Sequence, residues 1–433
     1  MSANTSELRL GIAGLGTVGI GVIKIVQENA GILAARSGAN ISITAVSARE
    51  RGRDRGADLS RYTWYDNAVD LAVDENVDVV VELMGGSDGP AYALAKAALA
   101  AGKPFVTANK ALIATHGKEL AELAEASKTA LRFEAAVAGG IPIIKALTEG
   151  LSANNISGLH GILNGTCNYI LTRMEREGLP FDEVLADAQR IGYAEADPTF
   201  DIDGIDTAHK TAILAAIAFG MAPDIDNLPT EGIRNIVPVD IDYAKELGYR
   251  IKLLGVARQQ DEGVEVRVHP AMVPLSSPLA NVMDATNAVV VSGDHVGPTG
   301  YEGAGAGQGP TASAVVADII DVARGVWYPP FGVPAASLGS PDHLGADAHV
   351  GTYYVRLKVS DVPGVMADIT HALAKENVSI DSMLQRGHAD DGGVYIVLTT
   401  HETTEEAANA ALNHFNALEC VLESPAMLRI EAA

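Results

Sequence analysis

The 433-residue sequence holds only two cysteines, Cys167 and Cys420, so no disulfide framework carries the fold and a reducing cytosol is implied. Basic residues are scarce beside acidic ones, 31 against 55. The resulting net charge of −24 repels nucleic acid and anionic membranes. No apolar run approaches the length of a membrane span. The opening MSANTSELRL lacks the charged-then-apolar layout of a signal peptide. No low-complexity tract argues for extensive disorder. These absences predict a cytoplasmic protein with neither nucleic acid nor membrane as a partner. What is present is a 48% hydrophobic chain, too long for one ordinary core and ample for two or three.

Residues 1–150 alternate short apolar runs with helical patterns. LRLGIAG, ISITAV, VDVVVELMGG, KPFVTA and ALRFEAAV read as strands; TVGIGVIKIVQEN, PAYALAKAALAAG and GKELAELAEASK read as helices. Continuous Val/Ile runs with helices between them predict a Rossmann-type, doubly wound parallel sheet of the α/β class. A helix at about 310–330, AVVADIIDVARG, returns to complete this domain. Residues 151–310 read as a mixed α+β domain, and the Pro/Gly/Ser-rich 331–349 as a linker. The tail, 350–433, runs βαββαβ, the order of a ferredoxin-like module, its second helix opened by a Thr403…Glu406 capping box.

GLGTVG places Gly14, Gly16 and Gly19 in the G-x-G-x-x-G spacing. The pattern follows a strand and opens a helix, the context in which it marks a dinucleotide site. The first glycine allows a tight turn, the second a close pyrophosphate, and the third close helix–strand packing. After the second strand an NAD-preferring site carries Asp or Glu. Here the sequence reads AVSARERGRDRG, with Arg49, Arg51, Arg53 and Arg55. Guanidinium groups suit a 2′-phosphate, so NADP is favoured and NAD remains open.

GYAEADPTFDIDGIDTAHK, residues 192–210, sets five carboxylates ahead of one lysine and runs into the apolar TAILAAIAFG. Asp206 and Lys210 are four apart and share a helix face. An exposed pair of this kind contributes only tenths of a kcal/mol, yet the apolar continuation predicts burial, and a buried ammonium must be paired or used. Glu195 lies in a loop able to turn back towards the same point. Lys110, in TANKALIA, stands beyond the carboxyl end of a strand, where ligands of doubly wound sheets bind.

As a whole, GLGTVGIG, ELMGG, TANKALIA, EAAVAGGIPII, GILNGTCNYIL, GYAEADPTFDIDGIDTAHK and GAGAGQGPTASAVVADI resemble the homoserine dehydrogenase family, across about residues 8–325. The tail resembles an ACT domain through SDVPGVMADITHALAKENVSI, with Gly364 and Asn377. With no kinase-like segment ahead of the glycine turn, the monofunctional form is expected. The resemblance implies NADP(H)-linked interconversion of L-aspartate 4-semialdehyde and L-homoserine, on the way to threonine, isoleucine and methionine. It implies Lys210 as the general acid, with Lys110, Gly192, Glu195 and Asp206 at the substrate. Cofactor contacts would fall to Gly14, Leu15, Gly16, Thr17, Val18, Gly19, Arg49, Lys110 and Gly303. The same family resemblance implies a monovalent cation, sodium, on Glu134, Val137, Gly139 and Ile141. It further implies residues 151–310 as the catalytic and dimerisation domain, a homodimer or homotetramer, and threonine as effector of the ACT domain. An ordinary lysine titrates near about 10.4, so the oxidation direction is expected to favour alkaline pH.

Cys167 has no adjacent base in NGTCNYIL and reads as a buried small residue. The eleven histidines show no metal-ligand spacing, and His209 is expected to point off the face shared by Asp206 and Lys210. Two rival readings remain: another NADP-linked oxidoreductase, which would not need Glu195, Asp206 and Lys210 together, and an amino-acid sensor with a vestigial dinucleotide domain.

Overall fold

The computed structural model describes residues 6–261, 263–340, 344–345, 349–386 and 393–432. The first sheet has six strands: β1 (Ser6–Ala13), β2 (Ala39–Ser47), β3 (Thr63–Tyr65), β4 (Val79–Glu82), β5 (Phe105–Thr107) and β6 (Leu131–Arg132). Their spatial order is β3-β2-β1-β4-β5-β6, and every neighbouring pair is parallel. Val79, Val80 and Val81 are wholly inaccessible, as an unbroken valine run must be when helices cover both sheet faces. Chain order reverses between β1 and β4, so a crevice opens beyond their carboxyl ends. Gly14 and Leu83 are the first residues past those ends and form its walls.

The sixth strand is shorter than ALRFEAAV suggests. Pairing stops at Arg132, and Glu134–Ala136 turns into a 3₁₀ helix. The Glu134 N–H donates to the Asp318 carboxylate at 2.8 Å instead of to a strand. Asp318 belongs to the helix Gln308–Ala323, which lies along the glycine-turn helix Thr17–Glu28. Their approach is close: a Cβ on Gly21 would stand 2.8 Å from the Gln308 carbonyl. Phe331, in the segment that follows, is completely buried over Gly117, where a Cβ would meet its ring at 2.7 Å. Of the 331–349 segment, 341–343 and 346–348 lie outside the described residues.

The second sheet unites the other two regions. Its strands are β7 (Ile156–Ile162), β8 (Tyr249–Gln260), β9 (Gly263–Pro274), β10 (Thr286–Gly293), β11 (Gly297–Ala304), β12 (Val350–Ser360), β13 (Ile380–Arg386), β14 (Gly393–Thr400), β15 (Thr403–Thr404) and β16 (Ala426–Ile430). They run in the order β11-β10-β7-β8-β9-β16-β12-β14-β13, with β15 beside β12. The carboxyl-terminal module has the βαββαβ order plus the short β15. It is not merely appended: β16 pairs with β9, Arg429 opposite Ala271 and Ile430 opposite Met272. Ion pairs and a histidine hydrogen bond reinforce the seam. Arg267 donates to Glu405 at 2.7 Å, Arg429 bridges Glu405 and Glu231, and His269 meets Glu431 at 3.2 Å.

The second helix of this module begins one residue later than the capping box predicts. Thr404, not Thr403, accepts from the Ala407 N–H, at 3.2 Å. Thr403 is taken up by β15, where it pairs with Gly351.

Candidate active site

The glycine turn is shaped by packing at two positions and left open at the third. Gly14 has φ +98°, and a Cβ there would lie 2.4 Å from the Leu83 carbonyl. A Cβ on Gly19 would lie 2.1 Å from the Gly14 carbonyl. Gly16, which precedes the Thr17–Glu28 helix, has nothing within 4 Å. Its missing side chain therefore serves the space outside the turn, where helix N–H groups face an anion. That space is a cleft of about 800 Å³ whose lining includes Gly14, Leu15, Gly16, Thr17, Arg49 and Arg53. Arg55 also reaches it while donating to the Arg53 carbonyl at 2.8 Å, and its guanidinium sits over Trp64 at 5.5 Å. Arg51 does not line the cleft but stands over Trp64 at 5.9 Å. An open glycine turn, a helix N-terminus and three guanidinium groups fit a dinucleotide carrying phosphates.

Leu83, Met84 and Gly85 connect this cleft to a smaller cavity of about 270 Å³ that Val18, Lys110 and Lys210 also line. The connecting loop is held by Glu82, fully buried at the end of β4. Its carboxylate accepts from the Met84 and Gly85 N–H groups at 2.6 and 3.1 Å and from the Thr107 hydroxyl at 2.7 Å. Lys110 opens the helix Lys110–Ala126, capped by Asn109, which accepts from the Leu112 N–H at 3.1 Å. The Asn109 amide also donates to the Gly86 carbonyl at 2.7 Å, tying the lysine to the same loop.

Lys210 rises from the helix Ile205–Phe219, which left-handed Gly204 and Gly220 delimit. Its apolar run is buried, and Lys210 is only 8% exposed. The ammonium donates to Asp206 Oδ2 and to the Leu163 carbonyl, each at 2.7 Å. Lys110 meets the other oxygen of the same carboxylate, Oδ1, at 2.7 Å. Burial opposes ionisation of Asp206, but Lys210 and Lys110 prevail and hold its pKa well below the usual range. Burial also lowers the Lys210 pKa, assisted by Lys110 and opposed by Asp206. A lysine with an ordinary pKa, as the sequence suggests, is therefore not what the fold provides: desolvation makes this amine easier to deprotonate.

Sequence comparison bears directly on this geometry. Residues 14–134 match the family model of the homoserine dehydrogenase NAD-binding domain, residues 142–320 that of homoserine dehydrogenase, and residues 353–420 that of the ACT domain. A homoserine dehydrogenase of Pseudomonas aeruginosa is 45% identical over 431 residues, 98% of this chain and 99% of its own. The crystal structure of one from Thiobacillus denitrificans is 46% identical with a TM-score of 0.93, covering 99% of each chain. The chain belongs to the homoserine dehydrogenase family. It is accordingly an NAD(P)-dependent oxidoreductase carrying an ACT domain. A hyperthermophilic archaeal homoserine dehydrogenase solved in complex with NADPH is more distant: 26% identical, TM-score 0.65, covering 75% of this chain and 99% of its own.

Not every residue that the resemblance points to meets this cluster. Gly192 takes a left-handed turn, φ +82°, after the helix Phe181–Arg190 and is exposed. The Glu195 carboxylate is exposed too; Gln189 donates to the Glu195 carbonyl at 3.0 Å. Gly303 sits in β11 opposite Asn287, while Gly305 and Ala306 reach the small cavity. In the EAAVAGGI loop, Ala138 and Gly139 both have positive φ, 53° and 38°. A Cβ on Gly139 would stand 2.6 Å from the Gly305 carbonyl. The Glu134 carboxylate accepts from the Ile144 and Lys145 N–H groups at 3.0 and 2.8 Å, and the Ile141 carbonyl accepts from Ile143 at 2.8 Å. Burial and neighbouring Asp318 push Glu134 up to about 8.

Cys167 is wholly buried and donates to the Asp201 carbonyl at 3.2 Å; burial raises its pKa far above that of a reactive thiol. His209 packs edge-on to Phe200 at 5.5 Å, and burial and Lys110 lower its pKa while Asp206 opposes them. Two further groups of this enzyme family member escaped sequence reasoning: Asn164 and Asp201. Each lies in a quoted motif, but nothing in their spacing says that they meet. The contact spans 37 residues of chain, and tertiary folding alone creates it.

Proposed function

We propose that the chain interconverts L-aspartate 4-semialdehyde and L-homoserine with NADP(H), and that Lys210 gives the proton to the aldehyde oxygen during reduction. The observation that carries this reading is the buried Lys210 ammonium on the wall of the cavity that adjoins the dinucleotide cleft. A bound nicotinamide supplies or accepts the hydride. Two of the three Lys210 N–H groups are spent on Asp206 and Leu163, which leaves one for the substrate oxygen. Asp206 stays ionised and keeps the amine aimed. In the oxidation direction the neutral amine accepts the hydroxyl proton, a role its depressed pKa favours.

Lys110 stands at the same cavity and is assigned to substrate and cofactor together. Glu195 and Gly192, in one exposed turn, are assigned to the substrate's amino group. Val18 and Gly303 complete the cofactor contacts of the glycine turn. NADP preference is supported by Arg49, with Arg53 and Arg55 beside it in the cleft, and by the NADPH named for the archaeal relative. Sodium is assigned to the carbonyl oxygens of Glu134, Val137, Gly139 and Ile141, in a loop whose Ala138 and Gly139 have positive φ. The ACT domain is assigned threonine feedback, and the assembly a homodimer or homotetramer, in the cytoplasm, serving threonine, methionine and isoleucine synthesis.

Absorbance at the nicotinamide band, with homoserine and either NADP or NAD, tests the assignment together with Lys210→Ala. Turnover favouring NADP and lost in the variant is expected. Full activity of Lys210→Ala overturns the proton-donor role, and inhibition unmoved by threonine overturns the feedback role.

A further inference from the structure

The Lys210–Asp206 pair is gripped by two consecutive residues of a separate segment. The Leu163 carbonyl accepts from the Lys210 ammonium at 2.7 Å. The next residue, Asn164, is 5% exposed and uses both ends of its amide. Its oxygen accepts from the Cys167 N–H at 2.8 Å as the N-cap of the helix Gly165–Glu177. Its nitrogen donates to Asp206 Oδ2 and to Asp201 Oδ1, each at 2.8 Å. The chemistry fixes the amide's orientation, because only the oxygen accepts from an N–H and only the NH₂ donates to two carboxylates.

We infer that Asn164 is a positioning residue: its carboxamide holds Asp206 and Asp201 side by side and thereby fixes the carboxylate that aims Lys210. This rests on the proton-donor role of Lys210. Capping alone does not call for asparagine, since serine and aspartate cap a helix about as well. Bridging two carboxylates does. A serine hydroxyl has one hydrogen to give, an aspartate adds a third negative charge, and a lysine would compete with Lys210 for Asp206. Asparagine alone of these caps offers two donors without charge. The demand is real, because Asp201 is raised in pKa by burial and by Asp206. The clamp matters most after proton transfer. Neutral Lys210 then holds Asp206 less tightly, and Asn164 with Lys110 keeps the carboxylate from rotating.

The test is Asn164→Ser and Asn164→Asp in the full-length enzyme, both of which retain a capping side chain. Steady-state homoserine oxidation is followed across the alkaline range, beside thermal melts and Lys210→Ala. Asn164→Asp, which buries a third carboxylate, is expected to melt below the parent and Asn164→Ser nearer to it; both should lose about 10- to 100-fold in kcat, as small misplacements do, with the KM for NADP unchanged. The alkaline limb should move to higher pH in both, furthest in Asn164→Asp, because Asp206 or the added carboxylate then bears more strongly on the Lys210 ammonium. A parental kcat and pH profile in either folded variant, with Lys210→Ala inactive, overturns the Asn164 role alone. An active Lys210→Ala overturns the reading beneath it.

Discussion

Lys110 and Lys210 take hold of opposite oxygens of one carboxylate, each at 2.7 Å, although the first opens a helix of the parallel-sheet domain and the second lies inside a helix of the mixed domain. Asp206 is thus a point at which the two domains meet chemically. Its side chain is only 5% exposed.

Replacing Asp206 with Asn leaves two ammonium groups facing a neutral amide, one of them buried. Breaking a buried pair from one side costs about 3–5 kcal/mol, so denaturant melts should show a loss of that order. Asp206 also raises the Lys210 pKa. The alkaline limb of residual oxidation should therefore move to lower pH, and a shift to higher pH would contradict the assignment.

The pH dependence of the parent enzyme follows from the same group. On the proposed role, oxidation requires neutral Lys210, and burial depresses its pKa. Oxidation should rise with pH and level off below the ordinary lysine value of about 10.4, while reduction falls over the same interval. A pH–rate profile in both directions checks this.

The glycine turn separates folding from binding. Gly19→Ala pushes a Cβ to 2.1 Å from the Gly14 carbonyl and should lower the melting temperature. Gly16→Ala meets no protein atom within 4 Å and should melt like the parent. Its methyl instead enters the dinucleotide space, so the KM for NADP should rise by about tenfold or more, in line with lost close approach. Equal effects of the two variants on stability would contradict the distinction.

Arg49→Ala should weaken NADP by about tenfold or more, the scale of a lost charge-assisted pair, while NAD changes little. The comparison is the kcat/KM ratio for the two cofactors. An unchanged ratio would move the assignment to Arg53 and Arg55, which share the cleft.

The seam between the catalytic domain and the ACT domain carries an acid-sensitive group. Burial lowers the His269 pKa from 6.5 to about 4 despite its bond to Glu431. A depressed folded pKa means stability that is full above 6.5 and is lost as pH falls towards 4. The shift corresponds to at most about 3 kcal/mol. His269→Gln should flatten the decline in melting temperature across that window.

Local chemistry made much of this molecule legible before folding was considered. Valine runs between helices specify a parallel sheet because both its faces are covered, and three glycines between strand and helix specify a phosphate-accommodating turn. The i,i+4 spacing puts Asp206 and Lys210 on one face, and an apolar continuation requires that face to be buried. Each is a short-range constraint written in neighbouring residues. Distances between segments are not written that way. Lys110 reaches Asp206 from 96 positions away, Asn164 reaches it from 42, and β16 joins β9 to merge two modules into one sheet. Glu195, close in sequence to the lysine, is exposed where the lysine is buried. The Lys210 pKa falls on the same side of that division, because desolvation depends on every element packed around the amine and not on its neighbours in the chain.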